Sequence, residues 1–142
     1  MLAGTFALTT AAAFSGAAIY INAAEQPARL ELDNSAALRE WKPSYSRGFA
    51  MQASLALAAA LFGLLALWGS RDWRWLIGAA LIFSNWPYTL IVILPINKRL
   101  EATSPEAANE ETRGLINTWG RLHAVRSALG SAATLMFFWA LI

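Results

Sequence analysis

The sequence predicts an all-α integral membrane protein, built as a bundle of four transmembrane helices. Three observations support this prediction. The 142 residues are 57% hydrophobic and only 14% charged, their mean hydropathy is +0.42, and long uncharged runs recur along the chain. Such a composition is too apolar for an ordinary soluble domain, and it excludes a disordered tail and a nucleic-acid-binding module.

Four apolar runs have about the length of a membrane-spanning helix, since roughly 20 residues are needed to cross about 30 Å of hydrocarbon. These runs are Leu2 to Ala24, Gly48 to Trp68, Trp75 to Leu94 and Leu122 to Ile142. They predict helices over about 2–24, 48–68, 75–94 and 115–142 within a single domain, 1–142. No Lys or Arg precedes Arg29, so the first run lacks the basic start of a signal peptide and is expected to remain as a helix.

The connections between the runs differ in character. Residues 25–47 mix Leu and Trp with charges, which predicts a short amphipathic segment lying at the membrane interface after the first helix. Residues 69–74 are short enough for a tight hairpin. Residues 95–121 are polar, and Ser104-Pro105-Glu106 predicts a helix start there, so we expect a polar helical connection between the third and fourth helices. Pro95 is expected to end the third helix.

The distribution of Lys and Arg predicts the orientation. Eight lie in connections 25–47 and 95–121, and two lie in 69–74. Because cytoplasmic loops carry the excess of positive charge, we expect both long connections in the cytoplasm and both termini outside. The expected location is a bacterial inner membrane.

The same composition limits cofactors and partners. The absence of Cys and the single His exclude disulfides, thiolate metal sites and multi-histidine sites, and no Gly-rich dinucleotide loop occurs, so no cofactor is expected. A net charge of +2 provides no basic surface for nucleic acid. The expected partners are the lipid bilayer and a lipophilic small molecule. Small residues in the spans favour close helix packing. A homo-oligomer is also possible, and the sequence does not decide the oligomeric state.

The fourth run carries the most informative polar residues. Trp119, His123, Arg126 and Gly130 fall at i, i+4, i+7 and i+11, which is one stripe of a helix. An Arg in the membrane interior costs roughly 2.5 to 3.5 kcal/mol, so Arg126 should face the bundle. The alternative is that Arg126 extends to the headgroups and His123 makes a structural hydrogen bond.

Glu25 is the expected partner of His123 and Arg126, because it closes the first run on the side where the fourth run begins. Asn22 and Ser15 lie seven residues apart and share a helix face that leads toward Glu25. The alternative places Glu25 in the headgroup layer. Gln26, Arg29 and Tyr45 are expected nearer the surface.

The third run adds Asn85 and Thr89, spaced i, i+4 around Pro87, where proline frees a backbone carbonyl. Trp86 would line a cavity for a flat aromatic ligand, with core packing as the alternative. Asn97 would cap the helix or reach back into the cavity. Hydrogen bonds between helices are the alternative for Asn85 and Thr89.

Several stretches together resemble one family. They are Glu25-Gln26-Pro27-Ala28-Arg29, Trp41 to Arg47, Gln52, Trp86 with Thr89, Pro95 to Leu100, and Trp119 to Arg126. In this order, over nearly the whole chain, they resemble the DUF1772 or anthrone oxygenase-like family. The resemblance implies a small integral membrane protein with fungal relatives that oxidise anthrones to anthraquinones. The family often has His after that Glu, whereas this chain has Gln26.

These observations lead to a catalytic hypothesis with two alternatives. His123, assisted by Glu25, removes a proton from a planar phenolic or anthrone-like substrate, and Arg126 stabilises the enolate, which reacts with dioxygen without a cofactor. The predicted substrate-binding residues are Asn22, Arg29, Tyr45, Gln52, Asn85, Trp86, Thr89, Asn97 and Trp119. One alternative is a lipid- or quinone-binding or transport module without catalysis. The other is a haem or single-metal site at His123 with Glu25.

Overall fold

The computed structural model describes residues 2–142, which form four long helices joined by short turns. Helix α1 is Leu2–Leu30, α2 is Asn34–Ser70, α3 is Trp73–Ala102 and α4 is Glu110–Leu141. All four are long and apolar enough to cross a membrane, and the described residues contain no strand. The predicted all-α class with four membrane helices is therefore confirmed.

The helices extend further than the apolar runs. The predicted interfacial segment, residues 25–47, is divided between the end of α1 and the start of α2, and the polar connection shrinks to residues 103–109 with a single 3-10 turn, Pro105–Ala107. With 37 residues, α2 is about 55 Å long, which exceeds the roughly 30 Å of hydrocarbon. A search for apolar runs ends each predicted helix at the first charged residue. The helix itself continues wherever its polar side chains find water or a hydrogen-bond partner.

Side-chain caps fix the ends of the helices at the turns. Asp33 accepts a hydrogen bond from the Ala36 amide at the start of α2, and Asn109 with Thr112 forms a capping box at the start of α4. Asp72 caps α3, and its hydrogen bond with Arg74 holds the pKa of Asp72 below its usual value. Each cap satisfies amides that the first helical turn leaves without partners.

Pro27 and Pro95 change the helical pitch instead of ending their helices. The turns Ile21–Glu25 and Thr89–Ile93, each separated from its proline by one residue, are π-helical, and the amide after each turn bonds the carbonyl five residues earlier. Proline lacks the amide that would bond the carbonyl four residues earlier, so the wider turn restores part of the backbone bonding. The prediction that Pro95 ends the third helix is therefore wrong, because α3 continues to Ala102.

α1 and α3 each pack against both α2 and α4, and α2 and α4 make a smaller contact with each other. The interior divides into two clusters. An apolar cluster rich in Ala, with Phe14 and Phe137, lies toward the chain termini. A second cluster around Trp41 and Trp119 lies toward turns 31–33 and 103–109. The predicted polar residues lie around the second cluster and at its border with the first.

Replacing Gly78 with Ala is expected to destabilise the bundle. The added Cβ would lie 2.4 Å from the ring of Phe137, which is fully buried, and overpacking of this kind costs about 1–3 kcal/mol. Thermal unfolding in detergent, followed by tryptophan fluorescence, measures the loss. Gly16→Ala is the control, since its methyl meets nothing within 4 Å. Equal midpoints for the two variants would contradict the close packing of α3 on α4.

Candidate functional site

Helix α4 presents the predicted stripe to the bundle interior. Trp119, His123, Arg126 and Gly130 are all buried. Because α4 begins at Glu110 and not at about residue 115 as predicted, His123 lies roughly 20 Å from the start of the helix. This distance is longer than the sequence predicts. Arg126 is only 7% exposed, so its side chain does not extend to the headgroups.

His123 is held in place by Asn22 of α1. The Nδ1 atom of His123 lies 2.9 Å from the Asn22 side-chain oxygen, and the Ser127 hydroxyl donates to the same oxygen at 2.7 Å. The Asn22 amide nitrogen donates to the Gly120 carbonyl at 2.8 Å, which fixes the orientation of the amide. Since a carbonyl oxygen only accepts, Nδ1 of the neutral ring carries the proton. The Nε2 atom makes no hydrogen bond within residues 2–142 and retains its lone pair.

Glu25 forms no pair with His123 or Arg126, in contrast to the prediction. Its carboxylate binds the guanidinium of Arg29 and the Ser44 hydroxyl. Arg29 also binds Glu40 of α2. Although the sequence predicts Arg29 near the surface, it is only 2% exposed. Two carboxylates from different helices therefore compensate a buried cation and fasten α1 to α2. Without the Glu25–His123 pair, the haem or metal alternative loses its second ligand.

Gln26 completes this ion cluster. The prediction that it lies near the surface is wrong, because it is buried. Its side-chain oxygen accepts from Arg29 at 2.7 Å, and its nitrogen donates to the Ile116 carbonyl at 2.9 Å. Gly120 makes the close approach of α1 to α4 possible, because a Cβ there would lie 2.7 Å from the Gln26 nitrogen. A glycine next to Trp119 on the buried stripe is the sequence signal for this contact.

A cleft between the helices lies beside His123, and its cavity volume is about 10 Å³, the space of about one water molecule, so a larger ligand enters only when the walls move apart. We call it the polar cleft. Its lining includes six of the predicted site residues, namely Tyr45, Gln52, Asn97, Trp119, His123 and Arg126. Gln52 and Asn97 are almost completely buried, and no atom of either side-chain amide makes a hydrogen bond. The Tyr45 hydroxyl is close to Asn97 without hydrogen-bond geometry. Since buried amides are nearly always bonded, the cleft favours a polar ligand.

Arg126 differs from Arg29 in having no counter-ion. It makes no hydrogen bond or salt bridge within the part of the chain that the structure describes, and its Nε atom is buried without a partner. The guanidinium lies 5.6 Å from the centre of the Phe14 ring. An unpaired, buried guanidinium in a cleft is suited to bind an anionic oxygen.

A second cleft, also with a cavity volume of about 10 Å³, lies on another side of Arg126. We call it the apolar cleft. It shares Phe49 and Arg126 with the polar cleft. Its remaining lining residues are Ala53 and Ala56 of α2 and Asn85, Trp86, Thr89 and Leu90 of α3.

The structure thus divides the predicted site residues into three groups that adjoin along the bundle. Six line the polar cleft. Asn85, Trp86 and Thr89 line the apolar cleft with Arg126. Glu25 and Arg29 form the ion cluster, and Asn22 orients His123. Besides apolar wall residues of the two clefts, the sequence did not identify Gln26, Glu40, Ser44, Phe49 and Ser127. Of these, Ser127 could have been found from the sequence, because it follows His123 by four residues and therefore lies on the same face of the helix.

The groups available define the chemistry. One imidazole with a free lone pair and one unpaired guanidinium face a cleft rich in amide groups. Within residues 2–142, no three His, Cys, Asp or Glu side chains lie close enough together to hold a metal ion. The arrangement is suited to remove a proton from a bound molecule and to stabilise the anion that results.

Comparisons with known proteins identify the family of the chain. The family described as anthrone oxygenase matches residues 41–136, which include the cleft residues of α2, α3 and α4. The anthrone oxygenase of Claviceps purpurea (strain 20.1) is 30% identical over 146 aligned residues, covering 93% of this chain and 84% of the relative. No solved structure matches the chain significantly. The length of these two matches shows that the chain belongs to the anthrone oxygenase family.

Proposed function

We propose that this chain is an oxygenase that acts on a planar, lipophilic phenolic substrate of the anthrone type, bound in the polar cleft. One observation carries the proposal. His123, with an unbonded Nε2, and Arg126, without a counter-ion, line the same cleft. Membership of the anthrone oxygenase family supports an oxygenase-type function, and the relative's name supports the class of substrate.

The first step is a proton transfer. An anthrone has a CH₂ group between two aromatic rings, and this carbon is acidic because its anion is delocalised onto the ring carbonyl. Nε2 of His123 accepts the proton, and the electron pair moves toward the carbonyl oxygen. The guanidinium of Arg126 stabilises that oxygen as its negative charge grows. Donors of this kind contribute about 10²–10³ in rate in a site shielded from water.

Dioxygen is the oxidant in the second step. The anion transfers electrons to dioxygen and forms a C–O bond, and the proton held by His123 then yields a hydroperoxide on that carbon. Removal of the remaining hydrogen on the carbon as a proton, with cleavage of the O–O bond, leaves a carbonyl group and releases water. One oxygen atom enters the quinone and the other enters water, so dioxygen alone balances the oxidation.

The proposed setting is a bilayer. Four apolar helices are compatible with an integral membrane protein, and a lipophilic substrate partitions into hydrocarbon. We infer from the Lys and Arg distribution that turns 31–33 and 103–109 face the cytoplasm and that both termini lie outside. A bacterial inner membrane stays the predicted location.

His123→Ala is expected to lower the rate of anthrone oxidation by about 10²–10⁴-fold, the usual contribution of a general base. The measurement combines an oxygen electrode with quinone absorbance, using purified protein in lipid nanodiscs and subtracting the spontaneous rate. Wild-type protein should consume one dioxygen per anthrone. Arg121→Ala, at an exposed position of the same helix, is the control and should retain the wild-type rate. Anthrone binding without oxygen uptake would instead support the binding or transport alternative.

Neutral His123 is expected to carry its proton on Nδ1. The chain has one histidine, so isotope-labelled histidine gives two ring-nitrogen NMR signals that need no assignment to a residue, provided that the purification tag contains no histidine. Asn22→Ala removes the acceptor and should shift the proton toward Nε2 and slow turnover. Asn22→Asp keeps an acceptor and should preserve the tautomer. A wild-type ring protonated on Nε2 would refute the role of Asn22.

A further inference from the structure

We propose that the apolar cleft binds the outer ring of the substrate and selects a free phenolic hydroxyl on it through Asn85 and Thr89. The inference rests on the proposed function for the general class of substrate. It goes further because it assigns the choice among substrates to residues of α3, away from His123.

The side-chain oxygen of Asn85 is a hydrogen-bond acceptor without a donor. The residue is only 2% exposed. Its side-chain nitrogen donates to the Ile82 carbonyl at 3.0 Å, so the amide is oriented with its oxygen away from that carbonyl. This oxygen is buried and has no hydrogen bond. A quinone carbonyl cannot serve as its partner, because both atoms are acceptors, whereas a phenolic O–H can.

Thr89 is an exception among the helical threonines of this chain. Four others donate their hydroxyl to the carbonyl four residues earlier, and these are Thr9, Thr10, Thr118 and Thr134. The Thr89 hydroxyl is buried and makes no hydrogen bond. It lies at the start of the π-helical turn Thr89–Ile93 and one helical turn beyond Asn85. The two side chains therefore place an acceptor and a hydroxyl side by side in the apolar cleft.

The remaining walls suit a flat, apolar ring. Trp86 and Phe49 contribute aromatic surfaces, and Ala53 and Ala56 contribute small side chains along α2, so a ring enters once α2 and α3 move slightly apart. The Trp86 indole nitrogen lies 3.4 Å from the Ala53 carbonyl, which holds the ring against α2. Leu90, at the edge of the cleft, is 49% exposed. An apolar, exposed residue at the edge indicates that a ligand reaches the cleft from the hydrocarbon side.

Arg126 connects the two clefts, since it lines both. A fused-ring molecule that places its carbonyl oxygen on Arg126 therefore extends one outer ring toward Asn85 and Thr89. Phe49 also lines both clefts and forms the second shared wall. The reacting carbon and the recognised hydroxyl thus occupy opposite sides of one guanidinium.

Equilibrium binding of two non-reacting probes tests the subsite apart from catalysis. The probes are β-hydroxyanthraquinone and β-methylanthraquinone, which have almost the same shape and differ in the donor. Wild-type protein in nanodiscs, titrated by following probe absorbance, should bind the hydroxyl compound at least tenfold more tightly. This preference should fall to about twofold or less in Thr89→Val, which keeps the side-chain shape, and in Asn85→Leu. Thr118→Val, at an exposed site of α4, is the matched control and should keep the full preference.

The outcomes separate this inference from the proposed function. Equal binding of both probes by wild-type protein, or a preference unchanged in both α3 variants, would overturn the subsite even if anthrone oxidation is observed. A preference lost in both α3 variants would support it even if no oxygen is consumed. Failure of wild-type protein to bind either probe would overturn the subsite, and oxygen uptake with anthrone would then decide the proposed function alone. Circular dichroism and the thermal midpoint establish that each variant is folded.

Discussion

A polar side chain inside a helix bundle surrounded by hydrocarbon has no water to bind, so it needs a partner within the bundle or on a ligand. This constraint divides the buried polar residues of the chain into two sets. Arg29 has its partners in Glu25 and Glu40, and this set connects the helices. Gln52 and Arg126 have unbonded atoms at the clefts. The first set forms the scaffold, and the second forms the surface available to a substrate.

The two buried arginines show how one residue type serves both purposes. Arg29 is compensated by two carboxylates, and its guanidinium lies 5.6 Å from the centre of the Trp119 ring, so its field is largely neutralised. Arg126 has only the ring of Phe14 and the cleft beside it. An uncompensated guanidinium destabilises the empty site, and an anion that forms beside it recovers that free energy. Placing this charge next to His123 therefore favours the anion over its neutral precursor.

Proline shapes the site twice in the same way. On α1 and on α3, a π-helical turn precedes the proline by one residue, and the helix then continues. The turn on α1 contains Asn22, which orients His123, and the turn on α3 begins at Thr89 in the apolar cleft. Both helices cross the bundle without a break in their course, while a local change of pitch rotates selected side chains inward. The wider turn before each proline keeps part of the backbone hydrogen bonding there, which hydrocarbon favours.

The sequence by itself determined the four helices and the buried stripe of Trp119, His123 and Arg126, because apolar length and a period of 3.6 are properties of a single helix. It did not determine which partner each charge finds. Glu25 binds Arg29 four residues further along the same helix, and the packing of α2 on α1 adds Glu40 to this pair. The packing of α1 on α4 brings Asn22 to His123. The tertiary structure also decided that the polar residues line two clefts joined at Arg126, because a cleft is the space between helices and no helix encodes it alone.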